Sequence, residues 1–273
     1  MASAKMVVQL RDEGFRAPHP GANSIALTDV SKVFHARRGE VHALEGIDLS
    51  VRNKEFVCLL GPSGCGKSTI LGLIAGLTKP SRGTVTIDGK SVDAARQSHQ
   101  IGLVFQDAVL LPWRTVNENV LLPLEVLKIP RTERETKIKS VLNLVGLEGF
   151  EHRFPHELSG GMRQRLGIAR ALSFDPQVLL MDEPFGALDA ITRDNMSIEL
   201  LRIWEQRQKT VLFVTHSISE AAFLSDRVVV FTPRPGRIAA VIANPLPRPR
   251  TLNMRDSSEF NTLSRHLRDS LGE

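Results

Sequence analysis

The sequence predicts an α/β fold: a mostly parallel sheet, a small antiparallel β layer ahead of it, and an inserted α-helical subdomain. Three observations lead there. The uninterrupted apolar runs Val178 to Met181 and Val211 to Val214 have the character of strands buried on both faces, and a third, Phe56 to Leu60, passes through a glycine loop into a helical stretch. From Ile25 to Val51 the apolar clusters are shorter and are separated by polar or glycine-bearing pieces, as in antiparallel strands. Between 107 and 160 the apolar spacing turns helical.

Bulk composition narrows the class. At 273 residues the chain is long enough for one sizeable α/β domain with an appended subdomain. A net charge of +5 and a pI near 9.5 suit an anionic ligand, the anionic inner face of a membrane or plain solubility, so charge alone selects none of them. The only cysteines, Cys58 and Cys65, support neither a disulfide framework nor a thiolate metal site, and a reducing compartment is the simpler expectation. No apolar stretch approaches membrane-helix length, and Met6 to Leu10 is too short a core for a secretory signal. The expectation is a cytosolic chain that meets a membrane through a partner.

In chain order, residues 1–23 mix charge, proline and glycine without period and are expected to form a loose leader. Ile25-Ala26-Leu27, Val41 to Leu44 and Ile47 to Val51 are the strands of the antiparallel layer. Phe34 lies in the first connection, where spacing alone favours core packing over ligand contact. After the strand at 56–60 comes GPSGCGKST, residues 61–69, and then the helical Ile70 to Ala75. This is the strand, glycine loop, helix order of a phosphate cradle: Gly61, Gly64 and Gly66 let main-chain N–H groups turn inward without a Cβ in the way. Lys67 can reach terminal phosphates, and the Ser68 hydroxyl is placed to ligate Mg²⁺.

Thr84 to Ile87 is a strand ending in the hairpin dipeptide Asp88-Gly89, and Ile101 to Phe105 is expected to be a buried strand. Gln106 then stands at that strand's C-terminal edge, where ligands of parallel sheets collect; it is a water or metal sensor or simply a surface amide. In the helical insertion, Thr132-Glu133-Arg134-Glu135 has capping-box spacing ahead of Ile138, Val141, Leu142 and Val145. Trp113, between Pro112 and Arg114, is either a satellite-core aromatic or a partner-facing anchor. Ser159-Gly160-Gly161 opens a second anion-competent helix start, with Leu166, Ala169 and Leu172 on one face. One nucleotide could need both helix ends, within one chain or across two.

The run at 178–181 delivers Asp182 and Glu183 to the ligand edge. Asp182 is placed to hold a metal through its hydration shell, and Glu183 to accept a proton from attacking water or to orient it. The strand at 211–215 brings His216 to the same edge. Arg227 to Phe231 is one more strand, followed by a Pro- and Gly-rich turn and the extended Pro-Leu-Pro-Arg-Pro-Arg of 245–250. A final helix is expected from Asp256, with Glu259 at the capping-box position and a packing stripe of Phe260, Leu263, Leu267 and Leu271.

Taken together, the chain resembles the ATP-binding subunit of an ABC transporter over about residues 24–250, which makes the fold a P-loop NTPase of the ABC ATPase kind. The marks stand in family order: GPSGCGKST at 61–69, Gln106 in VFQD, LSGGM at 158–162, VLLMDEP at 178–184, GALDA at 186–190 and His216 in VTHS. The resemblance implies that Gly61, Pro62, Ser63, Gly64, Cys65, Gly66, Lys67, Ser68 and Thr69 hold the phosphates of ATP. It implies that Ser68, Gln106 and Asp182 hold Mg²⁺, that Glu183 is the catalytic base, that His216 keeps γ-phosphate and water in line, and that Phe34 stacks on adenine. Phe34 stands where many relatives have tyrosine, a change a phenyl face tolerates. Two copies are implied to face head to tail, with Ser159, Gly160 and Gly161 of one closing on ATP held by the other and Asp189 lining the seam.

LLPWRTVNENV at 110–120, SEAAFLSDRVVVFTPRPGRI at 219–238 and the PLPRPR tail are similar to the importer branch for nitrate, aliphatic sulfonates, taurine and like solutes. The implied partners are integral-membrane permease subunits and, through them, a solute-binding protein, with no nucleic acid. The implied place is the cytoplasmic face of the cell membrane. The alternatives are an exporter or lipid-transport subunit and a soluble ATPase of the same type, and the segment 251–273 is expected as a separate C-terminal helix.

Overall fold

A computed structural model describes residues 23–36 and 39–272. Of the leader expected over 1–23, all but Asn23 lies outside them. Two sheets share the molecule. The smaller is antiparallel, in the order β2-β1-β4-β5, from β1 (Asn23–Ala36), β2 (Gly39–Arg52), β4 (Arg82–Ile87) and β5 (Lys90–Ser91). The larger has the order β10-β9-β3-β8-β7-β6. It comprises β3 (Phe56–Leu60), β6 (Ile101–Val104), β7 (Val178–Asp182), β8 (Thr210–Thr215), β9 (Arg227–Phe231) and β10 (Ile238–Ala243). Every pairing in it is parallel except β9 with β10.

The alternation of strand side chains divides the core into two layers. Phe56, Cys58 and Leu60 of β3 face one cluster, with Phe213, Met181 and the helices. Val57 and Leu59 face the other, with Leu212, Val214 and the antiparallel sheet. All five residues of β3 and all six of β8 are buried, which is why both read as continuous apolar runs.

The helices are α1 (Lys67–Ile74), α2 (Val92–Gln97), α3 (Val116–Val126), α4 (Arg131–Leu144), α5 (Gly160–Leu172), α6 (Ala190–Arg207), α7 (Ile218–Leu224) and α8 (Ser258–Leu271). Several boundaries depart from the sequence expectations. The clusters at 41–44 and 47–51 are one strand, β2, which continues through Gly46 at φ +59 with a shift of register against β1. β6 is an edge strand of alternating burial that ends at Val104, leaving Phe105 exposed rather than buried. The capping box of the insertion is Thr115 with Glu118, at the start of α3, whereas α4 begins at Arg131 behind Pro130 and takes no side-chain cap. α8 starts at Ser258, because the Ser257 hydroxyl accepts from the Phe260 N–H; of its expected stripe Phe260, Leu263 and Leu267 are buried and Leu271 is half-buried. β10 was not anticipated. It pairs antiparallel with β9 and closes the sheet edge.

The 245–250 segment is extended because its arginines are spent on the C-terminal end of α7. Arg248 donates to the Leu224 carbonyl and stacks over Trp204 at 4.1 Å, while Arg250 donates to the Phe223 and Ser225 carbonyls.

Candidate functional site

Four neighbouring strands, β3, β8, β7 and β6 in that spatial order, end at one edge of the large sheet. They carry the loop 61–66, His216, the pair Asp182–Glu183 and Gln106 respectively. Residues far apart in sequence thus meet because their strands are adjacent and parallel.

The loop is shaped by its glycines. Gly64 has φ +75 and Gly66, the N-cap of α1, has φ +105, a region that L side chains rarely adopt. A Cβ on Gly66 would also lie 2.6 Å from the Leu44 side chain and 2.8 Å from the Ala43 carbonyl. Lys67 is only 4% exposed, and its Nζ donates to the carbonyls of Gly61 (2.7 Å) and Pro62 (2.9 Å). Among the described residues its hydrogen-bond partners are carbonyls and the Cys65 thiol, so this buried cation has no directly bonded carboxylate. An anionic phosphate supplies what is missing.

Ser68 Oγ donates to Asp182 Oδ1 at 2.9 Å, which joins the start of α1 to the end of β7. These are hard oxygen ligands of the kind Mg²⁺ takes through one or two carboxylates and water. Burial raises the Asp182 carboxyl above its ordinary value, opposed by the Ser68 hydrogen bond and then by the charge of Lys67. The next residue, Glu183, has φ +43, a strained backbone for a non-glycine, and its N–H is fixed to the Val214 carbonyl at 3.0 Å. Its Oε2 lies 2.9 Å from His216 Nδ1. Gln106 is exposed beside the turn that follows, where a Cβ on Gly186 would sit 3.2 Å from its Nε2. Thr69 is half-buried in the first turn of α1.

Ser159 and Asp189 form a second group. Ser159 caps α5 by accepting from the Met162 N–H, and Asp189 caps α6 by accepting from the Thr192 N–H at 3.0 Å, a bond that holds its carboxyl below the usual range. Gly161 joins them, since a Cβ there would come 2.9 Å from the Thr192 methyl. Gly160 remains exposed at the helix start. Among the described residues, no hydrogen bond ties this group to the phosphate loop. Phe34 is 41% exposed on β1 opposite Val41, with Lys32 Nζ 4.8 Å from its ring centre.

Sequence reading missed two further parts. Glu220 is buried, takes a 2.5 Å hydrogen bond from Thr215 Oγ1, and lies 3.4 Å from Arg193, which donates to the Leu188 carbonyl beside Asp189. Its capping-box spacing from Ser217 was the available signal. The turn at 232–237 packs on the phosphate loop through Arg234 and Gly236, a contact between distant segments that no local pattern announces.

The family described as ABC transporter matches residues 44–186. The aliphatic sulfonates import ATP-binding protein SsuB of Bacillus cereus is 45% identical over 87% of this chain and 92% of its own. The taurine import ATP-binding protein TauB of Rhizobium johnstonii is 50% identical over 77% of this chain and 80% of its own. A solved dimeric ATP-binding cassette in a post-hydrolysis state with ADP and Pi is 34% identical, covers 82% of this chain and 100% of its own, and superposes with a TM-score of 0.71. The chain belongs to the ABC transporter family, as one of its ATP-binding cassettes.

Proposed function

We propose that two copies of this chain bind two ATP molecules between them and that hydrolysis powers import of a small solute, of the sulfonate or taurine kind, through a permease. The observation that carries the chemistry is the meeting of Ser68 with Asp182 and of Glu183 with His216, each at 2.9 Å, at adjoining strand ends. Mg²⁺, when bound, neutralises charge on the transferred phosphoryl group. Ser68, Asp182 and Gln106 would hold it. Main-chain N–H groups of 61–69 and the Lys67 ammonium hold the phosphates.

Glu183 accepts the proton of the attacking water. With its carboxylate ionised, the His216 Nδ1–H donates to it, and the ring is fixed in place. The proton that Glu183 takes passes on to the released phosphate or to solvent, which restores the carboxylate. Catalysis is positioning and charge stabilisation of an in-line transfer to water.

Ser159 and Gly160 are exposed, with Gly161 buried against Thr192 behind them, and the solved relative with ADP and Pi is a dimer. Both support closure of one copy's α5 start on the nucleotide of the other, with Asp189 at the seam. Glu183→Gln is expected to lower ATP turnover at least about 100-fold. With Mg–ATP the same variant is expected to dimerise by light scattering and to cross-link from Ser159 to the phosphate loop of the second copy. A monomer, or a cross-link within one chain, defeats the shared-site reading; turnover that survives the change removes Glu183 as base.

The permease is proposed to dock on the insertion. Trp113 is 71% exposed and Val109 59% exposed in the segment that follows Gln106, large apolar side chains open to a partner. Among the described residues, no helix is long and apolar enough to cross a membrane.

A further inference from the structure

We infer that Arg234 is a positioning residue for ATP, acting through the backbone of the phosphate loop; this deepens the nucleotide-binding reading and rests on it. Arg234 donates from Nε (3.2 Å) and Nη2 (3.1 Å) to the carbonyl oxygen of Gly64. Gly64 is exposed and sits at φ +75, so nothing in its own side chain or local burial fixes the orientation of that peptide.

A peptide plane is rigid, and its C=O and N–H point in opposite directions. Holding the Gly64 carbonyl outward therefore holds the Cys65 N–H inward. That N–H has only a long 3.4 Å contact with the Pro62 carbonyl, the weak bond of a donor ready to change partners. The next peptide is fixed from the same side. A Cβ on Gly236 would lie 2.0 Å from the Cys65 carbonyl oxygen, so the bare backbone of the turn rests directly on it, and the Gly66 N–H is set in consequence.

The turn that does this is itself anchored. Gly236 N–H donates to the Ala43 carbonyl and the Glu45 N–H to the Gly236 carbonyl, both at 3.0 Å, while Arg237 pairs with Glu45 at 2.7 Å. Thr232 closes the turn, its N–H donating to the Arg237 carbonyl at 3.0 Å and its hydroxyl accepting from the Arg237 N–H at 3.0 Å. Segment 232–237 thus bridges β2 and the phosphate loop, and Arg234 is its one charged reach to the loop. A charge-assisted bond to the carbonyl that orients the Cys65 donor, beside a backbone contact that sets the Gly66 donor, is a device for preorganising an anion site.

The test compares full-length Arg234→Gln, Arg234→Lys and Lys67→Ala with the parent, by binding of a fluorescent methylanthraniloyl ATP with Mg²⁺, by KM and kcat for ATP, and by Tm without nucleotide. Arg234→Gln is expected to weaken Kd and raise KM about five- to tenfold, with kcat within about twofold and Tm nearly unchanged. Arg234→Lys, which keeps one cationic donor, is expected to recover part of the loss. A Kd within about twofold of the parent in Arg234→Gln, while Lys67→Ala abolishes binding, overturns the inference alone. Binding unaffected in Lys67→Ala removes both it and the nucleotide reading. A Tm drop that accounts for the lost affinity and is not relieved by lysine assigns Arg234 to stability and overturns the inference too.

Discussion

We propose that Phe34, a side chain with no chemistry of its own, contributes to the nucleotide site by stacking. Its ring stands in the open on β1, with the Lys32 ammonium against it, and burial contributes little to keeping it there. In that role its open face meets the base, a contact worth roughly 1–3 kcal/mol by alanine substitution. Phe34→Ala is therefore expected to raise KM for ATP about tenfold with kcat nearly kept, and Phe34→Trp to restore it. Equal KM for GTP and ATP in both proteins agrees with stacking, since every base has a π face; a change in kcat alone does not.

At this scale the sequence was most legible where chemistry forces residue types together. Lys67, Ser68, Asp182, Glu183 and His216 stand at the ends of apolar runs, so that their meeting at one edge follows from strand adjacency. Phe34 needed the family resemblance to acquire a role. Arg234 was illegible, because its partner is a backbone carbonyl 170 residues earlier and a carbonyl has no sequence signature.

Between elements, the Glu220–Arg193 contact links the end of β8, which carries His216, to the start of α6, which carries Asp189. Burial raises the Glu220 carboxyl above its ordinary value, with the Thr215 hydrogen bond and the Arg193 charge opposing. The sign follows from linkage. A carboxyl whose folded value exceeds the unfolded one near 4.5 contributes stability that is full below that pH and is lost as pH rises through the folded value. Glu220→Gln keeps the neutral shape without the titration. In urea unfolding, the difference in stability between variant and parent is expected to move in the variant's favour from about pH 4.5 towards neutrality. A constant difference, or one moving the other way, shows that the Arg193 pairing outweighs the burial cost.

Elements were read well where one period ran unbroken and poorly where an edge or a bend intervened. β3, β7 and β8 are buried on both faces and announced themselves. β6 and β10 lie at sheet edges with one face half-covered, which weakens the apolar run, and β2 absorbs an irregularity that cut it into two apparent strands. The Pro130 start of α4 hid behind Thr132, whose spacing imitates a cap that the Thr115–Glu118 pair makes in fact.

For the whole molecule the issue is how the proposed ATP-driven closure would reach a permease. The insertion between β6 and β7 meets the nucleotide edge at Gln106, and the segment just beyond is tied to α5: Arg170 donates to the carbonyls of Ala108 and Val109, both at 2.8 Å. A movement of α5, whose first residues are proposed to close on a second copy's ATP, is thereby passed to the backbone beside Trp113. Arg114 pairs with Glu125 at 3.2 Å, and Asn119, fully buried, donates to the Leu111, Arg114 and Thr115 carbonyls. The segment presenting Trp113 is therefore rigid, and its ring projects from a fixed base. An exposed tryptophan on a rigid base is the kind of anchor whose truncation costs about 2 kcal/mol or more at an interface, roughly a 30-fold loss of affinity. Trp113→Ala is expected to weaken co-purification with the proposed permease and any ATPase coupled to it, while the isolated subunit keeps its affinity for ATP. Unchanged co-purification and unchanged coupled ATPase would place the docking surface elsewhere. Loss of coupling with docking intact would assign Trp113 to transmission through Arg170 rather than to capture.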